Sequence, residues 1–257
     1  MTEGRETCAR RAQDPANEGG DERWFVDCHS HAVPAGDDGA QTLAEGRALC
    51  ADAAEHGTAL LFATPHVWPH LLLPPAREQA IREAHAELAA SVELELQLGF
   101  ELTPHPTLLD EDPARYRLGE TGYVLVEVPF VGGVDLLVAV AEHIEAGGLR
   151  PLVAHPERAD HVLERPHVAD ELGERWTLQV NATSLLGYHG PEIEALAWHL
   201  VRRGTAQVVA SDGHRLARPA RLDAAFERLA PDLGAERAAR LVDGSAIGAT
   251  PSRVASE

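Results

Sequence analysis

Basic residues are scarce in this chain: 22 Lys and Arg stand against 41 Asp and Glu among 257 residues, a net charge of −19. That deficit excludes a binder recruited electrostatically by nucleic acid or an anionic membrane, whose phosphates would be repelled. Cysteine is sparse too. Cys8, Cys28 and Cys50 show no CxxC spacing and leave one unpaired, which excludes a disulfide scaffold and predicts a reducing, cytoplasmic setting. A cysteine nucleophile for phosphate esters needs C-x5-R, but the sixth residues after these cysteines are Asp14, Pro34 and His56. Long apolar runs are missing as well. The longest stretch, 124–141, is broken by Glu127, Pro129, Gly132, Gly133 and Asp135, so no transmembrane helix or membrane insertion is expected. Residues 1–23 lack the apolar core of a signal peptide and read as a disordered tail.

What is present is enough apolar material for a core. With 44% hydrophobic and 25% charged residues the chain is no disordered polymer, and 24–257 is expected to form a single α/β domain. Seven short apolar runs of strand length, at 24–28, 59–63, 94–99, 123–128, 151–154, 177–180 and 207–210, alternate with helical periodicity. Helices are predicted at 41–56, 76–91, 134–146, 161–172, 191–203, 218–230 and 235–242. Seven β-α units suit a closed TIM-like barrel with one unit fewer, or an open doubly wound sheet. The barrel is favoured because the first β-α turn reads HSHAVPAGDDG, full of ionisable groups, where a dinucleotide fold would carry a glycine-rich phosphate turn.

Parallel barrels build their sites at the C-terminal ends of their strands, and six of the seven predicted ends carry metal-ligand chemistry. His29 and His31 end the first, with Asp37 and Asp38 in its loop; His66, Glu101, Glu127 and His155 mark the next four, and Asp212 with His214 the last. The sixth ends in Asn181. Imidazole with carboxylate suits Zn²⁺, Mn²⁺ or Fe²⁺. Counting one of the two adjacent aspartates gives nine ligands, too many for one ion but suited to two or three sharing a carboxylate. Such centres polarise phosphoryl oxygens, and Arg158 and Arg218, in loops on the same face, can grip phosphate bidentately. Glu101 and Glu127 sit in or beside apolar strands, where an unpartnered carboxylate is costly. Asp37 and Asp38 can also form an Asx-turn before Gly39; Asp38 is the better ligand choice. The other histidines, His56, His70, His85, His105, His143, His161, His167, His189 and His199, read as surface or core residues, and Asn181 and Ser184 as groups bracing a loop.

The ordered set HSHAVPAGDDG, ATPH, GFEL, VEVPF, AHPER, QVNATSLLG and ASDGH resembles the polymerase-and-histidinol-phosphatase (PHP) superfamily, and within it the CpsB/CapC-type bacterial protein-tyrosine phosphatases, over about 24–250. The resemblance implies a distorted (β/α)7 barrel, the PHP fold. It also implies a centre of two or three divalent ions, manganese foremost with iron or zinc as alternatives. The implied ligands are His29, His31, Asp38, His66, Glu101, Glu127, His155, Asp212 and His214, and the substrate arginines Arg158 and Arg218. The implied reaction is hydrolysis of phosphotyrosine by direct attack of metal-bound hydroxide, on a tyrosine autokinase of exopolysaccharide or capsule biosynthesis. Val67 after His66 and the segment VWPHLLLPPAR are more apolar than usual for these relatives, so a different substrate rim is expected. Two alternatives stand beside this reading: a phosphatase of a small phosphomonoester such as histidinol phosphate, and a non-catalytic regulatory binding subunit.

Overall fold

The computed structural model describes residues 24–252. The expected tail at 1–23 and the last residues, 253–257, lie outside the described residues, as does Cys8. The strands are β1 (Phe25–Ser30), β2 (Thr58–Ala63), β3 (His66–Val67), β4 (Glu95–Leu98), β5 (Glu101–Leu102), β6 (Tyr123–Glu127), β7 (Arg150–Ala154), β8 (Thr177–Asn181) and β9 (Ala206–Ala210). All neighbouring strands pair in parallel. β3 continues β2 and β5 continues β4, so nine segments less two continuations give seven staves, the number read from the sequence. Pro65, which has no N–H to donate, interrupts the first pair. The ladder resumes beyond it, with Glu101 N donating to Pro65 O at 3.2 Å.

The ring closes where β9 meets β1. Asp212 N donates to His29 O at 2.9 Å and His31 N to Gly213 O at 2.7 Å. Lower down the two strands part, and the backbone of 241–242 is wedged between them: Val26 N donates to Val242 O and Val209 N to Leu241 O. Buried Asp27 completes the seam, accepting from Ser211 N at 3.0 Å through Oδ1, and burial pushes its carboxyl up to about 6. The result is a distorted (β/α)7 barrel.

Its interior is filled by Val26, Cys28, Leu60, Phe62, Leu125 and Leu152 with small residues from β9. A fully buried side chain such as Phe62 contributes about 1.5–3 kcal/mol. The outer helices are α1 (Leu43–Glu55), α2 (Pro75–Ala89), α3 (Asp135–Ala146), α4 (Asp160–Glu164), α5 (His167–Arg175), α6 (Ala182–Leu185), α7 (Pro191–Arg203), α8 (Asp223–Leu233) and α9 (Ala235–Arg240). α1 starts where Thr42 Oγ1 accepts from Glu45 N, and α7 runs from Pro191, whose ring presets the first helical turn, to left-handed Gly204. No described helix is long and apolar enough to cross a membrane.

Two predicted helices differ from the structure, each because of proline. The helix expected at 161–172 is two, α4 and α5, separated at Arg165 and Pro166. The one expected at 218–230 begins only at Asp223. Pro219 disfavours helix at Arg218, and residues 215–218 instead close a tight turn that returns Arg218 O to His214 N at 2.9 Å.

Candidate metal centre

The first ligand pair depends on a defect in its strand. Cys28 packs in the interior with Val26, so strict alternation would send His29 outward with Asp27. Between Asp27 and Ser30, however, β1 advances three residues while β2 advances two, from Leu61 to Ala63. This extra residue is a bulge, and it turns His29 and His31 into the barrel mouth. Gly39 then allows the Asp37–Asp38 loop to settle on His31: a Cβ on Gly39 would lie 2.5 Å from His31 O.

All nine predicted ligands meet at this mouth. Glu101 Oε2 is the hub, 3.1 Å from His29 Nε2, 3.3 Å from His31 Nε2 and 3.0 Å from His66 Nδ1, while its Oε1 lies 2.9 Å from His155 Nε2. Asp212 Oδ1 sits 3.4 Å from both His29 and His31. Asp38, exposed on the open side, faces His66 Nε2 at 3.5 Å and His214 Nε2 at 3.3 Å. Glu127 lies 4.0 Å from His155 and accepts from Thr103 Oγ1. Asp37 lies behind His31, its Oδ2 accepting from His66 N at 2.9 Å and standing 3.7 Å from His31 Nδ1.

This donor set fits divalent cations. Glu101 Oε2 and His66 Nδ1, although 3.0 Å apart, are buried without a well-directed hydrogen bond, where such atoms are ordinarily satisfied. His29 Nε2 and His31 Nε2 face each other at 3.3 Å. Donors sharing one ion at about 2.1 Å lie roughly 3–4 Å apart. Three groups here bring one donor atom from each residue within 4.8 Å of the others: His31, Asp38, His66 and His214; His29, His31, Glu101 and Asp212; and His66, Glu101 and Glu127. The groups share members, as a centre of several ions requires.

The electrostatics agree. Burial opposes charge on Glu101 and Asp212, but the surrounding imidazoles outweigh it and hold both well below the ordinary carboxylate range. Glu127 goes the other way, pushed up to about 8 by burial and then by Glu101's charge. A cation beside Glu127 would favour its ionised form. Two ends of the cluster also carry backbone strain: His155 and Asp212 are the non-glycine residues with positive φ among the described residues, at 35° and 54°.

Both predicted arginines are present at the mouth. Arg158 Nη1 donates to Asp212 Oδ2 at 2.9 Å, and Arg218 Nη2 donates to the same oxygen. They line a cleft of about 400 Å³ together with residues of the cluster and with Trp68, Pro69, Pro129 and Phe130. Trp68 stacks between His66 and His70, at 4.3 and 5.2 Å. Phe130 stacks on His155 at 5.6 Å, with the Arg158 guanidinium 4.8 Å from its centroid. His70, read from sequence as a surface or core residue, is exposed and lines the cleft, and Trp68 and Phe130 were not singled out as site residues at all.

A buried amide chain also escaped sequence reasoning in part. His29 Nδ1 meets Gln179 Oε1 at 3.1 Å, Gln179 Nε2 donates to Asn181 Oδ1 at 2.7 Å, and Asn181 Nδ2 donates to Asp212 Oδ2 at 2.8 Å. The strand end without a ligand thus connects two residues of the cluster. Glu157 supports this end, accepting from Asn181 N and Ser184 Oγ, and burial pushes it up to about 7.

Comparison with known proteins agrees with this architecture. A solved structure described as YwqE from Bacillus subtilis and CpsB from Streptococcus pneumoniae, unique metal-dependent tyrosine phosphatases, superposes with a TM-score of 0.75 at 27% identity, covering 84% of this chain and 91% of that one. A lactonase from Listeria monocytogenes shares the fold alone, with a TM-score of 0.56 at 11% identity, covering 86% of this chain and 92% of that one. By sequence the chain is 30% identical over 209 residues to the tyrosine-protein phosphatase YwqE of Bacillus subtilis, 75% of this chain and 78% of that protein. It is 26% identical over 231 residues to the tyrosine-protein phosphatase CpsB of Streptococcus pneumoniae, 84% of this chain and 94% of that protein. The family model described as capsular polysaccharide synthesis, CpsB/CapC, matches residues 25–246, and the chain belongs to that family.

Proposed function

We propose that this chain is a metal-dependent protein-tyrosine phosphatase, a phosphoric monoester hydrolase. The observation that carries the reading is the convergence of imidazoles and carboxylates on Glu101 beneath two arginines anchored on Asp212. His29, His31, Asp38, His66, Glu101, Glu127, His155, Asp212 and His214 would hold two or three divalent ions, manganese first, with iron or zinc as alternatives. Such ions supply Lewis-acid polarisation of phosphoryl oxygens and an activated water at neutral pH.

The remaining work falls to the protein. Arg158 and Arg218 bind the phosphoryl oxygens and oppose the negative charge that develops on them. Asp212 keeps both guanidinium groups at the mouth before substrate arrives, so little reorganisation is needed on binding. Trp68 and Phe130 narrow the cleft and exclude water beside the ester. Among the described residues no thiol takes part: Cys28 and Cys50 are buried and free, and burial pushes Cys50 up to about 12. Two unpaired thiols also support a cytoplasmic location, with 24–257 acting as one catalytic unit.

The family's link to capsular polysaccharide synthesis supports a phosphotyrosine protein of that process, a bacterial tyrosine autokinase, as the physiological substrate. The test compares kcat/KM for a phosphotyrosine peptide with that for histidinol phosphate. Preference for the peptide is expected. Preference for the small ester would assign the site to the other branch of its superfamily, and hydrolysis of neither by protein carrying its metals would leave a binding subunit.

A further inference from the structure

The large hydrophobic side chains that remain exposed are not scattered. Among the described residues they are Leu72, Leu109, Phe130, Val131, Tyr188 and Leu216. Leu109 lies on the segment Pro106–Asp110, packed against α3 on the flank of the barrel. That segment follows β5; the other five stand on the loops after β3, β6, β8 and β9, at the end that carries the metal cluster.

Their positions tie them to the cleft. Phe130 lines it; Val131 is the next residue, Leu72 is two beyond His70, and Leu216 is two before Arg218, both of which line it as well. With consecutive Cα atoms about 3.8 Å apart, each backbone lies within roughly 8 Å of that of a residue lining the cleft. Tyr188 precedes His189, whose imidazole meets Thr183 Oγ1 at 2.9 Å and feels the charges of Arg158 and Arg218. Val131 is 78% exposed, Tyr188 73% and Leu216 60%, so these side chains spend nothing on the core. Exposed apolar side chains on the loops beside a charged opening are suited to recognition.

We infer that this rim docks the polypeptide on either side of the phosphorylated tyrosine, and that the segment it takes is uncharged and apolar next to that residue. The inference rests on the phosphatase reading and names the partner chemistry of the same site. A phosphotyrosine whose phosphate reaches the cluster lays its own backbone across the loops at 71–72, 130–131, 188 and 216. The large hydrophobic side chains it meets there are aliphatic or aromatic, with Arg215, tied to Gly39 O at 3.3 Å, beside Leu216. The chain's net charge of −19 disfavours acidic flanks.

The test uses metal-loaded protein, two phosphotyrosine peptides differing only in having Leu and Val or Asp and Glu beside the tyrosine, and p-nitrophenyl phosphate, which has no flanks. The wild type is expected to give at least a fivefold lower KM for the apolar peptide. The double variant Val131→Ser/Leu216→Ser is expected to lose that preference while kcat/KM for p-nitrophenyl phosphate stays within twofold. Equal KM values for the two peptides, or a preference that survives in the variant, would overturn the docking rim while leaving the phosphatase reading intact. Failure of the wild type to hydrolyse p-nitrophenyl phosphate would remove both.

Discussion

Arg158 Nη1 lies 2.9 Å from Asp212 Oδ2, while Asp212 Oδ1 faces His29 and His31 at 3.4 Å. One carboxylate therefore faces two ways, with one oxygen toward the cluster and the other holding the arginines that await substrate. Removal of the guanidinium should act on turnover and not on the metals. Arg158→Ala is expected to lower kcat/KM for p-nitrophenyl phosphate by about 10²-fold. Arg158→Lys should recover only part of that, because a point charge cannot reproduce the fork. The metal content of both variants should match the wild type, measured by elemental analysis beside the kinetics.

The amide chain predicts the opposite pattern. Gln179 Oε1 accepts from His29 Nδ1, which turns Nε2 toward the cluster, and Asn181 fixes Asp212 from the other end. Gln179→Leu or Asn181→Leu should weaken metal affinity by roughly 10–100-fold. Competition with a chelating dye reads this directly. An unchanged affinity in both variants would show that the chain does not orient the ligands.

His189 gives a pH dependence with a defined sign. Burial, then the charges of Arg158 and Arg218, lower its imidazole to about 4. The unfolded chain therefore binds the proton first as pH falls, and stability contributed by the neutral imidazole is complete above about 6.5 and lost progressively toward 4. In His189→Asn, the denaturant midpoint should fall less steeply between pH 6.5 and 4 than in the wild type. Parallel profiles would contradict the assignment.

Thiol chemistry should be silent. With Cys28 and Cys50 buried, iodoacetamide applied to the folded protein is expected to leave p-nitrophenyl phosphate hydrolysis intact, while EDTA abolishes it and added manganese restores it. Loss of activity on alkylation alone would point to a nucleophile other than an activated water.

The strand ends were legible in the sequence because metal-ligand side chains at the close of an apolar run conflict with burial unless something pairs them. His66, Glu101, Glu127, His155 and Asp212 all fell to that argument. The bulge that aims His29 and His31 was not legible, since an extra residue in a strand leaves no mark in the hydrophobic pattern. Helix ends failed where proline acted locally, at Pro166 and Pro219. Trp68, His70 and Phe130 escaped because a ring beside a ligand in sequence looks like any core or surface ring; only the fold shows which side of a cleft it lines. Gln179 carries no signal of its own, and its importance depends on facing His29 across the barrel.

The central claim is that residues far apart in the chain meet to hold several cations. The direct measurement is the number of metal ions per chain, by elemental analysis of protein purified without chelator, beside the variant Glu101→Gln. Because Glu101 touches four imidazoles, the account predicts two or three ions in the wild type and a loss of at least one in the variant. A wild type that retains fewer than two ions, even after equilibration with manganese, iron or zinc, would contradict it.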